Sequence, residues 1–156
     1  MAGREGDGAI INWLSAEDVS TVVPHVIDGG RGEEKEIVAR IFVCPNPDAE
    51  TVRAQAKRNI AAYLNVPVYR AFHEWLGREE LQGMWDHWAA GDRKAALEAI
   101  PDSVVDELFV HGSPEQCREH IDRYHANGVT TSAIAITPFG GIDPVQAARD
   151  LAPSAR

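Results

Sequence analysis

Three apolar runs that alternate with helix signals constrain the fold of this chain more than any other feature. The runs lie at 8–14, 37–44 and 129–137. The first is apolar on both faces apart from Asn12, as expected of a parallel strand covered on each side. Strands that alternate with helices form parallel sheets with right-handed crossovers. The sequence therefore predicts an α/β fold with about three parallel strands and crossover helices.

The helix signals between the runs are start and stop residues. Ser15 with Asp18 has the spacing of a capping box, and Ser113 with Gln116 repeats it with Pro114 at the first helical position. Pro24 falls inside the first helical pattern, so a break is expected there. The segment 67–110 holds several helical patterns without a strand-like run, which predicts a helical insertion within one βα unit. The whole chain, 1–156, is interpreted as one domain.

Charge and cysteine content exclude several classes of function. The net charge is −9 over 156 residues, with no basic cluster, which argues against a nucleic-acid partner. No apolar run approaches the ~20 residues of a membrane span, so no membrane partner is expected. Cys44 and Cys117 are expected to be free thiols of a cytoplasmic protein.

Motifs for nucleophilic or metal chemistry are not found in the sequence. It contains no Gly-x-Ser-x-Gly, no P-loop and no dinucleotide glycine fingerprint. Cys117, His120 and His125 do not share one helix face, and His111 is the only other nearby candidate, so no metal site is predicted. Gly140 and Gly141 are interpreted as an exit turn and not as a phosphate site, because Asp143 would occupy the following helix start.

Four segments together resemble the bacterial luciferase-like monooxygenases, which are flavin- or deazaflavin-dependent barrel oxidoreductases. The segments lie at 1–12, 42–48, 63–69 and 112–117. The last, Gly112-Ser113-Pro114-Glu115-Gln116-Cys117, is similar to the family's G-(T/S)-P-E-E-(C/V) helix start. Each motif alone is weak, but their order and spacing extend over essentially the whole chain.

The resemblance implies the C-terminal part of a TIM (β/α)8 barrel, namely its last three βα units. A complete barrel takes about 250 residues. The opening at Met1 is interpreted as a cut through the helix before the sixth strand, whether by truncation, a late start or a split gene. Coenzyme F420 (a deazaflavin) or FMN is the implied cofactor, used for hydride transfer or oxygen activation. Its main contacts lie in the absent strands, so no catalytic residue is assigned and this chain alone is not expected to bind it.

Barrel active sites lie at the carboxyl ends of the strands, so the residues there are the substrate-binding candidates. They are Asn12 and Trp13 at the end of the first run, Asn46 after the second and Phe139 after the third. Asn12 also fits a strand-ending turn, and Trp13 also fits packing at the barrel top.

Two functional hypotheses follow. The first is a C-terminal fragment of a luciferase-like oxidoreductase that acts on a small molecule and is inactive without the N-terminal strands. The second is a non-catalytic remnant or interaction module that pairs with another chain. Open sheet edges recruit other chains, so a chain that supplies the rest of the barrel, or a homo-oligomer, is the expected partner. The side chains expected to be uncovered on the barrel-interior face are Ile10, Ile41, Val43, Ile134 and Ile136.

Overall fold

The computed structural model describes residues 1–30, 32 and 34–153. The helices are α1 (Ala2–Glu5), α2 (Ala16–Gly29), α3 (Ala49–Leu64), α4 (Pro67–Trp75), α5 (Gln82–Ala89), α6 (Arg93–Glu98), α7 (Asp102–Leu108), α8 (Pro114–Ala126) and α9 (Pro144–Leu151). The strands are β1 (Gly8–Asn12), β2 (Glu36–Cys44), β3 (Phe109–His111) and β4 (Thr131–Ile136). Short 3₁₀ turns lie at Glu79–Leu81 and Phe139–Gly141.

All strand pairs of the sheet are parallel and involve β2. Its first half pairs with β1, its last three residues pair with β3, and its middle pairs with β4. The prediction of an α/β fold with a parallel sheet and crossover helices is confirmed. The carboxyl ends of β1, β2 and β4 coincide with the ends of the three predicted runs to within two residues.

The sequence interpretation missed β3. Phe109 and Val110 were assigned to the end of the strand-free segment 67–110, but Phe109, Val110 and His111 pair with Phe42, Val43 and Cys44. Three residues are too few to show the two-residue period of a strand. Pairing with β2, which lies 65 or more positions earlier in the chain, stabilises this segment, and no local signal reports that pairing.

The predicted break at Pro24 is wrong, because α2 runs continuously from Ala16 to Gly29. The capping box of Ser15 and Asp18 starts the helix, with both reciprocal hydrogen bonds present. Val19 and Val26 are buried on either side of the proline. Burial of an apolar side chain contributes about 1.5–3 kcal/mol, so the packing of both turns compensates for much of the lost backbone hydrogen bond.

The register assigns the apolar strand residues to two different faces. Ile10 pairs with Val38 and shares its face, whereas Ile41 and Val43 project to the opposite face because side chains alternate along a strand. Ile41 and Val43 are fully buried, while Ile10 is 80% exposed. The expectation that Ile10, Ile41 and Val43 form one uncovered face is therefore wrong for the two β2 residues. Ile134 pairs with Ile41 and so lies on the face opposite to Ile10, as does Ile136.

The chain divides into two compact units. The first comprises Met1–Ala49 with Glu107–Arg156 and contains the sheet, and the second comprises Glu50–Asp106 and is helical. Trp85 is the largest buried side chain of the helical unit, and its indole N–H donates to the Leu64 carbonyl over 3.0 Å. Arg53 forms a bidentate ion pair with Asp106, and Lys57 forms an ion pair with Asp102. These ion pairs link α3 to α7. Whether the chain is one domain stays a prediction.

Candidate functional site

Trp13 follows β1 directly and anchors an aromatic cluster at the carboxyl edge of the sheet. It is 1% exposed, with a backbone φ of 58°, in the left-handed region that few non-glycine residues adopt. Its ring lies 4.4 Å from Phe42 and 5.7 Å from Phe109, measured between centroids. The sequence allowed two roles for Trp13, substrate contact or packing at the top of the sheet. These ring contacts are those of a packing residue.

Three phenylalanines extend the cluster across the carboxyl edge. Phe42 and Phe109 are stacked at 5.3 Å, and Phe109 lies 5.8 Å from Phe139. Phe42 and Phe109 are buried, whereas Phe139 is half-buried in the turn after β4. The structure thus brings Trp13 and Phe139 into one cluster, through Phe109. Sequence reasoning missed Phe42 and Phe109. A signal for Phe42 was its position two residues before the end of β2, which places it on the same face as the last strand residue, Cys44.

Asn12 ends β1 beside Arg40, its register partner on β2. Its side-chain oxygen is buried and has no hydrogen-bond partner among the residues that the structure describes. An unsatisfied buried acceptor costs about 1–3 kcal/mol, which a hydrogen-bond donor from a ligand or another chain would recover. Asn12 therefore ends β1 with a buried side-chain oxygen whose hydrogen bond is not satisfied within the described residues.

Asn46 has its amide engaged within the protein. Its Nδ2 donates to the Phe139 carbonyl over 3.3 Å, and its Oδ1 accepts the Asp48 backbone N–H at 2.9 Å. Its own carbonyl accepts from Gly112 N–H at 3.1 Å. These contacts hold the loops after β2, β3 and β4 together, so Asn46 positions the rim.

The turn after β4 is occupied by internal contacts. Gly140 and Gly141 adopt positive φ values of 69° and 75°, which glycine tolerates without strain. Asp143 caps α9 and accepts the backbone N–H groups of Val145 and Gln146. The cap thus provides at this helix start the negative charge that a phosphate would otherwise supply.

Cys44 and Cys117 are both buried and free. Burial raises the pKa of the Cys44 thiol, opposed by the nearby Phe139 carbonyl group and Thr137 side chain. Burial, with a smaller effect of Cys44, raises the pKa of Cys117 from an ordinary 9.0 to about 12. A thiol held in its neutral form is a poor nucleophile, so both cysteines act here as packing residues.

We expect the stability of the chain to fall as the pH rises from 9 to 12, in part because of Cys117. In that window the unfolded thiol ionises while the folded thiol keeps its proton, so the folded state binds more protons and loses stability with pH. Urea unfolding at several pH values measures the slope for the wild type and for Cys117→Ala. The variant should have a shallower slope, and equal slopes would contradict the assignment.

The histidines near the rim line a cleft of about 440 Å³ beside α8. His111, His120, Glu119 and Arg123 contribute to its walls. Burial lowers the pKa of His120, assisted by Arg123 and His111 and opposed by Glu17. His125 contacts the Val129 carbonyl and the Ser132 hydroxyl instead. Within the described residues, no group of three or more His, Cys, Asp or Glu side chains is arranged to hold a metal ion.

A cleft of about 790 Å³ lies at the opposite end of the strands. Asp7, Lys35, Glu36 and Thr130 line it together with neighbouring residues. Ligands of parallel α/β folds bind at the carboxyl ends of the strands. The aromatic and amide rim around Asn12 and Trp13 is thus the better candidate site, despite the greater volume of the other cleft.

A parallel sheet whose strands are joined by helices and whose carboxyl ends meet at such a rim places the protein in the class of parallel α/β folds. The sequence matches the luciferase-like monooxygenases over residues 1–131. The chain belongs to the luciferase-like monooxygenase family, as the resemblance predicted. No described helix is long and apolar enough to cross a membrane.

Two solved structures have a similar fold at low sequence identity. The coenzyme F420-dependent tetrahydromethanopterin reductase from Methanopyrus kandleri matches with a TM-score of 0.70 and 18% identity, over 96% of this chain and 44% of that chain. An F420-dependent secondary alcohol dehydrogenase, solved with an F420-acetone adduct, matches with a TM-score of 0.56 and 16% identity, over 86% of this chain and 38% of that chain. This chain therefore spans less than half the length of either protein.

Proposed function

We propose that this chain forms the substrate-side part of an F420-dependent oxidoreductase and that it is inactive without further strands of the barrel. Both structural relatives are F420-dependent enzymes, which favours F420 over FMN as the cofactor. The observation that carries the proposal is the rim, where the half-buried Phe139 and the unsatisfied Asn12 oxygen lie at the carboxyl edge of a luciferase-like sheet. We place the enzyme in the cytoplasm, where its two free thiols stay reduced.

The rim fits part of a deazaflavin but not all of it. An aromatic wall suits a flat ring system, which F420 provides, and the ring supplies hydride transfer when bound. F420 also carries an anionic phosphate and glutamate tail. The rim residues Asn12, Trp13, Asn46 and Phe139 are uncharged and Asp143 is acidic, so positive charge for the tail comes on this chain from a neighbour such as Arg40, the exposed register partner of Asn12. The rest of the cofactor site is expected to come from strands outside this chain.

The proposed substrate-side residues are Asn12, Trp13, Asn46 and Phe139. Asn12 and Phe139 are half-buried, whereas Trp13 is buried and the Asn46 amide is engaged. We therefore assign direct contact with a small-molecule substrate to Asn12 and Phe139, and positioning of the rim to Trp13 and Asn46.

Fluorescence titration with F420 and with FMN tests whether the cofactor site needs strands outside this chain. The purified chain alone is expected to show no saturable binding of either cofactor at micromolar concentration. Adding a polypeptide that supplies the first five strands of a luciferase-like barrel should produce F420 binding, at least about tenfold tighter than FMN binding, which corresponds to 1.4 kcal/mol. Bovine serum albumin in place of that polypeptide is the control. Tight binding by the chain alone, or binding of neither cofactor by the pair, would overturn the proposal.

A further inference from the structure

His125 and Ser132 form a hydrogen-bonded pair at the amino end of β4, at the opposite end of the sheet from the rim. His125 lies in the last turn of α8, and Ser132 is the second residue of β4. The serine Oγ lies 2.9 Å from the imidazole Nε2. The Nδ1 of the same ring lies 2.9 Å from the Val129 carbonyl oxygen. Both ring nitrogens therefore have a hydrogen-bond partner.

These two contacts determine the direction of each hydrogen bond in the neutral imidazole. A carbonyl oxygen can only accept, so Nδ1 carries the ring proton and donates it to Val129. Nε2 is then the acceptor, and the Ser132 hydroxyl donates to it. A hydroxyl that donates to an imidazole, with the second ring nitrogen held by another acceptor, is the arrangement of nucleophile, general base and orienting group found in serine hydrolases.

The turn between α8 and β4 holds the pair in this geometry. Gly128 has a φ of 104°, which favours glycine, and its N–H donates to the His125 carbonyl over 3.1 Å. The Asn127 side chain donates to the Ala16 carbonyl over 2.7 Å, and Val129 is buried. The chain therefore reverses tightly and carries β4 back beside the end of α8. The nucleophile and the base are positioned before any ligand binds, which lowers the entropic cost of reaction.

The pair is accessible from solvent. His125 is exposed, Ser132 is half-buried, and its neighbours Thr131 and Ala133 are exposed. Neither the imidazole nor the Ser132 hydroxyl has another hydrogen-bond partner among residues 1–30, 32 and 34–153. A small molecule can therefore reach the serine Oγ without displacing another contact of the hydroxyl except its bond to His125.

We infer that this pair is a second reactive site, at which Ser132 attacks small activated esters and His125 acts as the general base. The serine Oγ forms a bond to the ester carbonyl carbon while the hydroxyl proton moves to Nε2. The bond from that carbon to the leaving oxygen then breaks, and the proton passes from Nε2 to the leaving group. The site needs no F420 and does not depend on the proposed function.

Water completes the reaction by the same route. His125 takes a proton from a water molecule as the water oxygen bonds to the acyl carbon. The bond between that carbon and the Ser132 Oγ breaks, and the serine regains its proton from Nε2. One ester and one water give one acid and one alcohol, so the reaction consumes no oxidant or reductant.

The contributions that such a pair supplies indicate the class of ester. A positioned general base contributes about 10²–10⁴-fold to the rate. Dedicated hydrolases gain about 10²–10³-fold more from each donor that binds the developing oxyanion. The pair itself supplies only the first contribution. Its substrates are therefore esters whose leaving group is a weak base, such as phenyl esters with electron-withdrawing groups.

The experiment incubates the purified chain with p-nitrophenyl acetate and follows release of p-nitrophenolate, with mass spectrometry of the digested protein to locate the acetyl group. We expect an initial burst with acetylation of Ser132. Ser132→Ala and His125→Gln should each lower the rate of release by about tenfold or more. Ser20→Ala and His87→Gln are the matched controls and should react as the wild type does. Ser20 is exposed and donates to the Glu17 carbonyl, and His87 is exposed on α5.

The location of the acetyl group on the wild-type chain decides the inference without reference to any variant. Acetylation confined to lysines or other histidines would overturn it, and so would the absence of acetylation. Circular dichroism shows whether each variant is folded. Equal acetylation of Ser132 in a folded His125→Gln variant would also reject the role of His125 as the base. Each of these results leaves the proposed function unchanged, because that function is tested by F420 binding.

Discussion

Replacing Trp13 by alanine is expected to lower the free energy of unfolding by about 3–5 kcal/mol, the usual cost of removing a buried tryptophan. The side chain is 1% exposed and packs against Phe42 and Phe109. Removing it leaves a cavity under the rim, and the remaining rings can fill that cavity only in part. Urea denaturation followed by far-ultraviolet circular dichroism measures the loss.

The backbone at Trp13 provides a second, independent signature. Its φ of 58° costs an ordinary residue about 1–2 kcal/mol, and glycine avoids this cost. Trp13→Gly should therefore be no less stable than Trp13→Ala, although glycine removes one more carbon atom and loses more chain entropy on folding. In a strand or helix the order would be reversed.

Trp75 is the matched control for this prediction. It is 53% exposed and stacks on Phe72 with centroids 5.7 Å apart. Trp75→Ala should cost less than about 1.5 kcal/mol, the upper end for an aromatic pair. Equal losses for the two tryptophans would show that Trp13 is not a core residue of the sheet unit.

The parts of the fold that were predictable from the sequence are those with long local patterns. The nine residues of β2 and the six of β4 are strongly apolar, and the capping boxes at Ser15 and Ser113 mark their helices from neighbouring residues alone. The three-residue strand β3 and the continuous α2 through Pro24 both depend on packing against distant segments. No local pattern reports such packing.

The candidate site was predictable in position but not in detail. Parallel topology alone places Asn12, Trp13, Asn46 and Phe139 near one edge of the sheet. The positioning role of Asn46 depends on the Phe139 carbonyl, 93 positions away, which no spacing rule indicates. Ile10 and Ile41 were assigned to one face, but they lie on opposite faces of the sheet. Only the register between β1 and β2 shows this, and the register cannot be read from the sequence.

The register of β1 depends on Gly8, and Gly8→Ala is expected to destabilise the chain by about 3 kcal/mol or more. A Cβ atom at this position would lie 1.9 Å from the Glu36 carbonyl oxygen, with two further backbone atoms of Glu36 within 2.8 Å. Every close neighbour is backbone of the paired strand, so relief requires β1 to move away from β2. Overpacking that forces backbone shifts typically costs 1–3 kcal/mol, and the loss of ladder hydrogen bonds adds to it.

Gly83→Ala is the control, because its Cβ would meet only the Ala99 side chain, at 3.4 Å. Gly83 lies in α5, where alanine is favoured over glycine by up to about 1 kcal/mol, so this variant should be equally stable or more stable.

Hydrogen exchange then shows whether Gly8→Ala destabilises β1 locally or the whole sheet unit. In Gly8→Ala the amides of β1 that pair with β2 should lose protection before those of α8. Because β1 carries Asn12 and Trp13 to the rim, the near-ultraviolet signal of the aromatic cluster should weaken with them. Retained protection of β1 in a destabilised Gly8→Ala variant would show that the rim does not depend on this strand pairing.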